Sequence, residues 1–588
     1  MVSEFLYAWL AGLALPCALG WPLAVRLGFH EGPRALGMMA ACGLSLLLIA
    51  CRAVQVWYPL AAAAWYLALA YALALLVLWT AGDVRRALRQ LLQQHANDLL
   101  LLGLIVAVLS LALNVPVFKG AIQFEGSRNA DSFTYVSSAR YMLGHAFDGV
   151  PDFSPAHPVF TIARLYFGDT AMQPRPAGEG LLAWLSAMRG VDPMYVYNGL
   201  QTAAVMLAGL SVLVFLPRRP SRGFGLLAWV MLGCPTLLFV AINSNFANGM
   251  ALAAATAYVG LGLLTRRRGT FVAALLLLGC MLSAYPELIV FAGAIRAFAL
   301  IGEALATRRL RWLLQELLLL LAELLLACLL LPWAAKGSWI DYLTTLHLSH
   351  AGASDQAGNM YAGLPLAAFA LLLLGLSWQG WSRMPQAVRM RALGAGVLLA
   401  FALAQLLMMA RGYGYGGFKI SEYFVSLLAG VVVACGAVLL DGDTPSTSTR
   451  WRFAGPAALV LLALVTVWQD TRMIKRSWAF AGDRQITRDL VAMGQWMDAH
   501  AQDRLIAMGS TPTPFYYGHW LPYLTRAQMV YDWRDPDAAG FLSPYLKLAE
   551  THHYAEADLR LSIDDIAAPR AKQADDVAAF GRVHLSRR

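Results

Sequence analysis

The residue types in this chain that can do chemistry gather in three stretches. The first is S-R-N-A-D-S-F-T-Y-V-S-S-A-R-Y-M-L-G, Ser127 to Gly144, which follows an apolar segment ending near Phe118. It carries Asp131, Tyr135 and Arg140 on a segment that suits a helix. An acid where a membrane helix emerges, with Arg128 and Arg140 nearby, reads as a general base whose pKa is set by partial burial and by cations. The plainer reading is a solvated loop acid in an ion pair. The second stretch is S-A-Y-P-E-L, where a proline breaks two closely spaced apolar runs and Glu287, with Tyr285 beside it, begins the next. A carboxylate there is costly unless paired or hydrated, or else it is an ordinary helix N-terminal acid. The third is R-G-Y-G-Y-G-G-F-K-I-S-E-Y, Arg411 to Tyr423. Its glycines permit close backbone approach, and Arg411 and Lys419 offer cations to a phosphate beside tyrosines and Glu422. The string follows a membrane helix and not a strand, which argues against a dinucleotide fingerprint. Its plainer reading is a flexible turn whose cations snorkel to headgroups.

Other charged residues are less specific. Arg175 and Glu179 lie in M-Q-P-R-P-A-G-E-G with a similar status. Glu316 and Glu323, seven apart in an apolar run, share a helix face and either pair with arginines or line a cavity. His347 and His350, with Asp341 and Asp355, lack a diagnostic metal spacing and read as a solvated loop.

The elements that position these residues are membrane spans. Of 588 residues, 59% are hydrophobic and only 14% charged, against about 25% charged in soluble domains; the mean hydropathy is +0.56. The formal charge of +10 is mostly arginine in short clusters between apolar runs, so basicity reflects topology, and no nucleic-acid motif occurs. The seven cysteines fall within or beside apolar runs and act as small hydrophobes. The N-terminal apolar stretch from Phe5 to Leu27 lacks a basic leader region and reads as a retained helix.

Windows of about 20 apolar residues predict about fourteen spans. They lie near 5–25, 36–51, 59–80, 98–118, 195–216, 223–242, 249–264, 270–284, 287–304, 312–333, 363–381, 392–410, 420–440 and 453–469. The arginine clusters (Arg85, Arg86 and Arg89; Arg218, Arg219 and Arg222; Arg266 to Arg268; Arg308, Arg309 and Arg311; Arg383, Arg389 and Arg391; Arg450 and Arg452) occupy alternate connections. By the positive-inside rule the Asp131 loop, the 334–362 loop, the Gly412 to Lys419 turn and the C-terminal tail face outward.

The connection 119–194 is too long for a turn and too apolar for disorder, so it is expected to fold against the spans. Within it, Phe133 to Leu143 reads as a helix, and Gly178 to Met188, too short to span, suits the interface. After Gln469 the chain becomes polar. A helical pattern from Ile486 to His500 and strand-like L-I-A-M-G-S, A-Q-M-V-Y-D-W, R-L-S-I-D-D and R-V-H-L-S predict a small α/β domain over 470–588.

This arrangement, with N-A-D-S-F-T-Y early in a long first outer loop, short helices in that loop, further spans and an outer C-terminal domain, resembles the GT-C superfamily of membrane glycosyltransferases. The likeness covers roughly 95–588, with 1–94 as additional N-terminal helices. M-Q-P-R-P-A-G-E-G-L-L-A-W-L is similar to the proline-containing stretch of the bacterial aminoarabinose transferases, which have a lysine where Arg175 stands. Asp152 and Asp169 are candidates for a second first-loop acid, and no W-W-D-Y-G string is present, so oligosaccharide transfer to asparagine is not expected.

The resemblance implies a multi-pass α-helical GT-C-like protein with a C-terminal α/β domain on the periplasmic side of a bacterial inner membrane. It implies inverting transfer of a sugar from a polyprenyl-phosphate donor to a cell-envelope glycan, lipid or protein. Asp131 and Glu287 would be catalytic; Arg140, Arg411 and Lys419 would bind the donor phosphate; Tyr135, Arg175, Tyr285 and Glu422 would bind substrate. No cofactor is required and no metal ligand is assigned, although a divalent metal is compatible with the superfamily. Partners would be the lipid-linked sugar, membrane lipid and the acceptor, with no nucleic acid. The competing reading is a transporter or flippase of lipid-linked sugars, which Glu316, Glu323 and the broken helices would also suit.

Overall fold

The computed structural model describes residues 1–29, 32–127, 131–147, 176–216, 234–264, 267–335, 363–381, 387–440, 449–530, 556–565 and 570–587. Among them, eleven helices are long and apolar enough to cross a membrane. The N-terminal group is α1 (Val2–Arg26), α2 (Gly32–Trp57), α3 (Leu60–Trp79) and α4 (Gly82–Leu113). The short α5 (Val115–Phe118), strand β1 (Ala121–Phe124), α6 (Ser132–Gly144) and α7 (Ala177–Arg189) belong to the long first connection. The bundle continues with α8 (Pro193–Ser211), α9 (Pro235–Ile242), α10 (Phe246–Gly260), α11 (Arg268–Ala284), α12 (Glu287–Thr307), α13 (Leu310–Leu330), α14 (Leu364–Trp381), α15 (Ala387–Ala410), α16 (Gly414–Leu440) and α17 (Thr449–Asp483). Apolar α11 and α14 are shorter than the eleven. The expected 223–242 span is described only from 234, where α9 is eight residues long.

Close helix crossings rest on small residues, as they do where lipid supplies no hydrophobic drive between helices. At the α1/α2 crossing a Cβ on Gly20 would lie 1.9 Å from the Met39 carbonyl oxygen, and one on Gly43 would lie 1.8 Å from that of Pro16. Only glycine permits both approaches.

Basic connections collect at one end of the bundle. Arg26 donates to the Val77 carbonyl at 3.0 Å, and Arg389 pairs with Glu303 at 2.9 Å. The first connection sits at the other end. There α7, expected in the interface, is instead buried along Ala177–Ser186. It is enclosed by α2, α3 and α6, and Trp184 Nε1 donates to the Ala64 carbonyl at 3.0 Å.

The helix α17 carries the chain past the composition change at Gln469 to Asp483. Next come β2 (Gln485–Thr487), α18 (Arg488–His500), β3 (Leu505–Met508), α19 (Pro514–Leu524), β4 (Gln528–Val530), β5 (Leu559–Ile563), β6 (Asp576–Phe580) and β7 (Val583–Arg587). The five-stranded sheet has the order β4-β3-β5-β7-β6, parallel between β4, β3 and β5 and antiparallel through β7 to β6. β2 leaves this sheet to pair antiparallel with β1, Phe124 opposite Gln485. That small ribbon ties the C-terminal region to the first connection.

Candidate active site

Three elements converge at the end of the bundle that carries the first connection: the segment from β1 to α6, the α9–α10 turn and the first turns of α16. The first is set by the ribbon. Glu125 N–H donates to the Arg484 carbonyl at 3.0 Å, which continues the β1–β2 pairing by one residue. Gly126 then runs so close to α17 that a Cβ there would meet Ser477 Oγ at 2.3 Å. Glu125 is thereby held inward, fully buried. Asp131 caps the start of α6, its carbonyl accepting from Thr134 N–H at 3.0 Å.

The α9–α10 turn contains Ser244 at φ 52°, a left-handed conformation disfavoured for serine. Its hydroxyl donates to Glu125 Oε2 while Ser132 N–H donates to Oε1 at 3.0 Å. The neighbouring Asn245 reaches the third element. Its amide donates to Glu422 Oε1, and its Oδ1 accepts from Lys419 Nζ at 2.6 Å; Lys419 also contacts Glu422 Oε2 at 3.0 Å. Lys419 and Glu422 are three residues apart, so one helical turn stacks them on one face. Asp131 lies near enough to act electrostatically on both Glu125 and Glu422. Burial pushes the Glu125 carboxyl up to about 8, the Ser132 and Ser244 hydrogen bonds oppose the rise, and Asp131 adds to it. Behind Ser244 a pocket of about 20 Å³, lined by Asn114, Asn198, Gln201, Thr202 and Ser477 among others, has room for one water.

Aromatic groups wall the same end. Tyr285 and Tyr423 share a hydroxyl–hydroxyl hydrogen bond at 2.8 Å, and Tyr135 packs on Phe246 with centroids 5.4 Å apart. Glu287 is buried at the start of α12, following Pro286. Lys419 and Glu422 are therefore brought together, linked through Asn245, Ser244 and Glu125 to Ser132 beside Asp131, with Tyr135 on the helix that Asp131 precedes and Tyr285 against Tyr423 of α16. Arg411 is exposed at the end of α15. Arg175 lies outside the described residues, as do Arg128, Asp152, Asp169, Asp341, His347, His350 and Asp355.

Arg140 has a different setting. Its Nε donates to Asp192 Oδ2 at 2.9 Å and its Nη1 to the Tyr523 carbonyl at 2.6 Å. The guanidinium also lies 3.4 Å from the centroid of the Tyr523 ring, and the Tyr523 hydroxyl donates to Asp192 Oδ1 at 2.6 Å. These contacts fasten α19 to α6 and to the start of α8.

Sequence reading passed over Glu125, Ser244 and Asn245. The available signal was Q-F-E-G-S, an acid followed by glycine a few residues before Asp131; its partner Ser244 is 119 residues away. Among the described residues no group of three or more His, Cys, Asp or Glu side chains is arranged to hold a metal ion.

No family model and no curated protein matches the chain. Among solved structures it is similar to the oligosaccharyltransferase of Archaeoglobus fulgidus in the apo form, at 13% identity and a TM-score of 0.42, over 79% of this chain and 69% of that one. It is similar to ArnT from Cupriavidus metallidurans in the apo state, at 14% identity and a TM-score of 0.42, over 82% of this chain and 97% of that one.

Proposed function

We propose that this chain is an inverting membrane glycosyltransferase of GT-C type, moving a single sugar from a polyprenyl-phosphate donor to a cell-envelope glycan, lipid or protein. The observation that carries the reading is the run of hydrogen bonds from Ser132, the neighbour of Asp131, through Glu125 to Ser244, whose neighbour Asn245 holds Lys419 and Glu422 at the head of α16. Sugar transfer from a lipid phosphate needs a base for the acceptor hydroxyl and a cation for the departing phosphate. Asp131 takes the acceptor proton as the acceptor oxygen bonds to the anomeric carbon. The bond from that carbon to the phosphate oxygen breaks, and the phosphate keeps the electron pair. Lys419 neutralises it, with Arg411 and Arg175 as further cations for the headgroup. Tyr135, Tyr285 and Glu422 frame the sugar, and Glu287 is the reserve carboxylate. Arg140 is here given to docking α19 in place of phosphate binding.

The arginine-rich connections among the described residues, such as those of Arg26 and Arg389, lie at the opposite end of the bundle from this site, which supports a periplasmic site in a bacterial inner membrane. No cofactor enters the scheme, so chelator treatment is expected to leave the rate unchanged. The transport alternative leaned on Glu316 and Glu323 as path-lining acids. Glu323 is instead paired with Arg296 at 2.9 Å, which weakens that reading.

The test is transfer from a panel of radiolabelled polyprenyl-phosphate sugars in proteoliposomes supplied with envelope extract. Asp131→Asn is expected to lower kcat by about 10³-fold, within the range for loss of a general base, while donor binding persists. Equal activity of the two proteins would place the base elsewhere, with Glu287 next. Leaflet-to-leaflet movement of donor without transfer would favour the transporter.

A further inference from the structure

Two adjacent residue pairs flank the buried Glu125. Asp131 and Ser132 lie on one side; Ser244 and Asn245 lie on the other. One carboxyl oxygen accepts from Ser132 N–H and the other from the Ser244 hydroxyl. Asn245 in turn holds both Lys419 and Glu422. A second grip meets Ser132 from the C-terminal region: Tyr516 donates to Gln123 Oε1, and Gln123 Nε2 donates to Ser132 Oγ at 2.5 Å.

We propose that Glu125 is a positioning residue, the brace that fixes Asp131 relative to Lys419 and Glu422 by gripping Ser132 with one carboxyl oxygen and Ser244 with the other. The inference rests on the transferase reading for its kinetic part and stands alone for its structural part. Several features fit a brace. The carboxyl is sealed from solvent and both oxygens are engaged, so it touches no bound substrate. Only two non-glycine residues among those described adopt positive φ, Ser244 and Arg308. Arg308 closes a helix C-terminus, where that conformation is ordinary. Ser244 likewise closes α9, its N–H reaching the Ala241 carbonyl at 3.2 Å and the Asn245 N–H reaching that of Val240 at 3.1 Å, and this closing turn aims the Ser244 hydroxyl at Glu125. The titratable groups facing Glu125 are Asp131 of α6, Tyr197 of α8 and Tyr516 of α19. The neutral form that burial favours still engages both serines: Oε1 accepts from Ser132, and the proton on Oε2 is donated to Ser244.

The test combines hydrogen exchange with transfer kinetics on the full chain in proteoliposomes. Glu125→Ala is expected to speed exchange at the Ser132 to Tyr135 amides by at least tenfold and to lower kcat by about 100-fold, as misplacement of a reacting group by about 1 Å does, with the donor KM within threefold. Glu125→Gln keeps an acceptor for Ser132 and a donor for Ser244, and is expected to recover most of both losses. Ser244→Ala removes half of the brace and serves if the alanine variant does not fold; intermediate effects are expected. Unchanged exchange at Ser132 in Glu125→Ala and in Ser244→Ala overturns the brace, whatever the kinetics. Equal loss of kcat in the alanine and glutamine variants, with exchange unchanged in the latter, also overturns it and makes the ionisable carboxyl itself the requirement. If wild type transfers no sugar, the transferase reading falls while exchange still decides the brace.

Discussion

Two clusters of buried charge sit in this bundle, and they are built differently. Deep among α10, α12 and α13, Arg296 pairs with Glu323 at 2.9 Å, stacks 4.5 Å from the Tyr258 ring centroid, and shares Glu323 with the Tyr258 hydroxyl at 3.3 Å. The Arg296 and Glu323 side chains keep only 7% and 3% of their exposure. At the head of α16 Lys419 pairs with Glu422 at 3.0 Å, and Asp131 acts electrostatically on both Glu422 and the buried Glu125. The first cluster is closed between helices. The second is open to the first connection, through Ser244 and Glu125, and is where the proposed transfer would take place.

That contrast breaks if removing a charge has the same consequence in both places. Arg296→Met strands Glu323 in the bundle and is expected to cost about 3–5 kcal/mol of stability, as breaking a buried pair from one side does, with the rate per folded molecule unchanged. Arg296→Met combined with Glu323→Leu is expected to recover most of it. Denaturant titration of purified protein, paired with transfer assays normalised to folded protein, reads both. A fall in normalised rate in the double variant would put the Arg296 cluster in the mechanism.

At the open cluster the partition reverses. Lys419→Met is expected to lower kcat by about 100-fold, the scale of removing one transition-state electrostatic partner. Adding Glu422→Gln relieves the stranded carboxylate and restores stability, yet leaves the rate low. Recovery of the rate in that double variant would reduce Lys419 to a counter-ion for Glu422.

The Arg140 contact sharpens the comparison from a third side, since it is a charged group that joins two parts of the chain. Lysine keeps the charge but loses the fork on Asp192 and the stacking on Tyr523. Arg140→Lys is expected to lower kcat by about tenfold and to expose α19 to limited proteolysis. Loss of rate with α19 still protected would return Arg140 to the donor phosphate.

The spans were legible because runs of about 20 apolar residues have few other uses, and β3, β5 and β7 because short apolar strands stand out in a polar tail. Asp131 stood out as an acid at a membrane exit, and the Lys419–Glu422 spacing was visible on one helix. What was illegible depends on partners far apart in sequence. Arg140 reads as a phosphate ligand in the sequence, and its hydrogen bond to the Tyr523 carbonyl, 383 residues on, has no local signal. Glu125 has no periodic signal, and its meaning comes from Ser244. The all-round burial of α7 likewise follows from α2, α3 and α6, which its own composition does not specify.

The smallest expected effect tests whether the open cluster keeps a proton. The ordinary value for a glutamate is 4.5, and burial pushes Glu125 up to about 8. Between those values the folded chain retains a proton that the unfolded chain releases, so stability falls as pH rises. Glu125 therefore contributes fully below 4.5, loses that contribution progressively up to about 8, and adds no further slope above it. Glu125→Gln has nothing to titrate there. Comparing the two proteins cancels every other titrating group that the substitution does not disturb. The Tm of the glutamine variant minus that of wild type is expected to climb by a few degrees from pH 5 to pH 8 and then level off. A difference that stays flat from pH 5 to pH 8 for Glu125→Gln would mean that the buried carboxyl is ionised throughout.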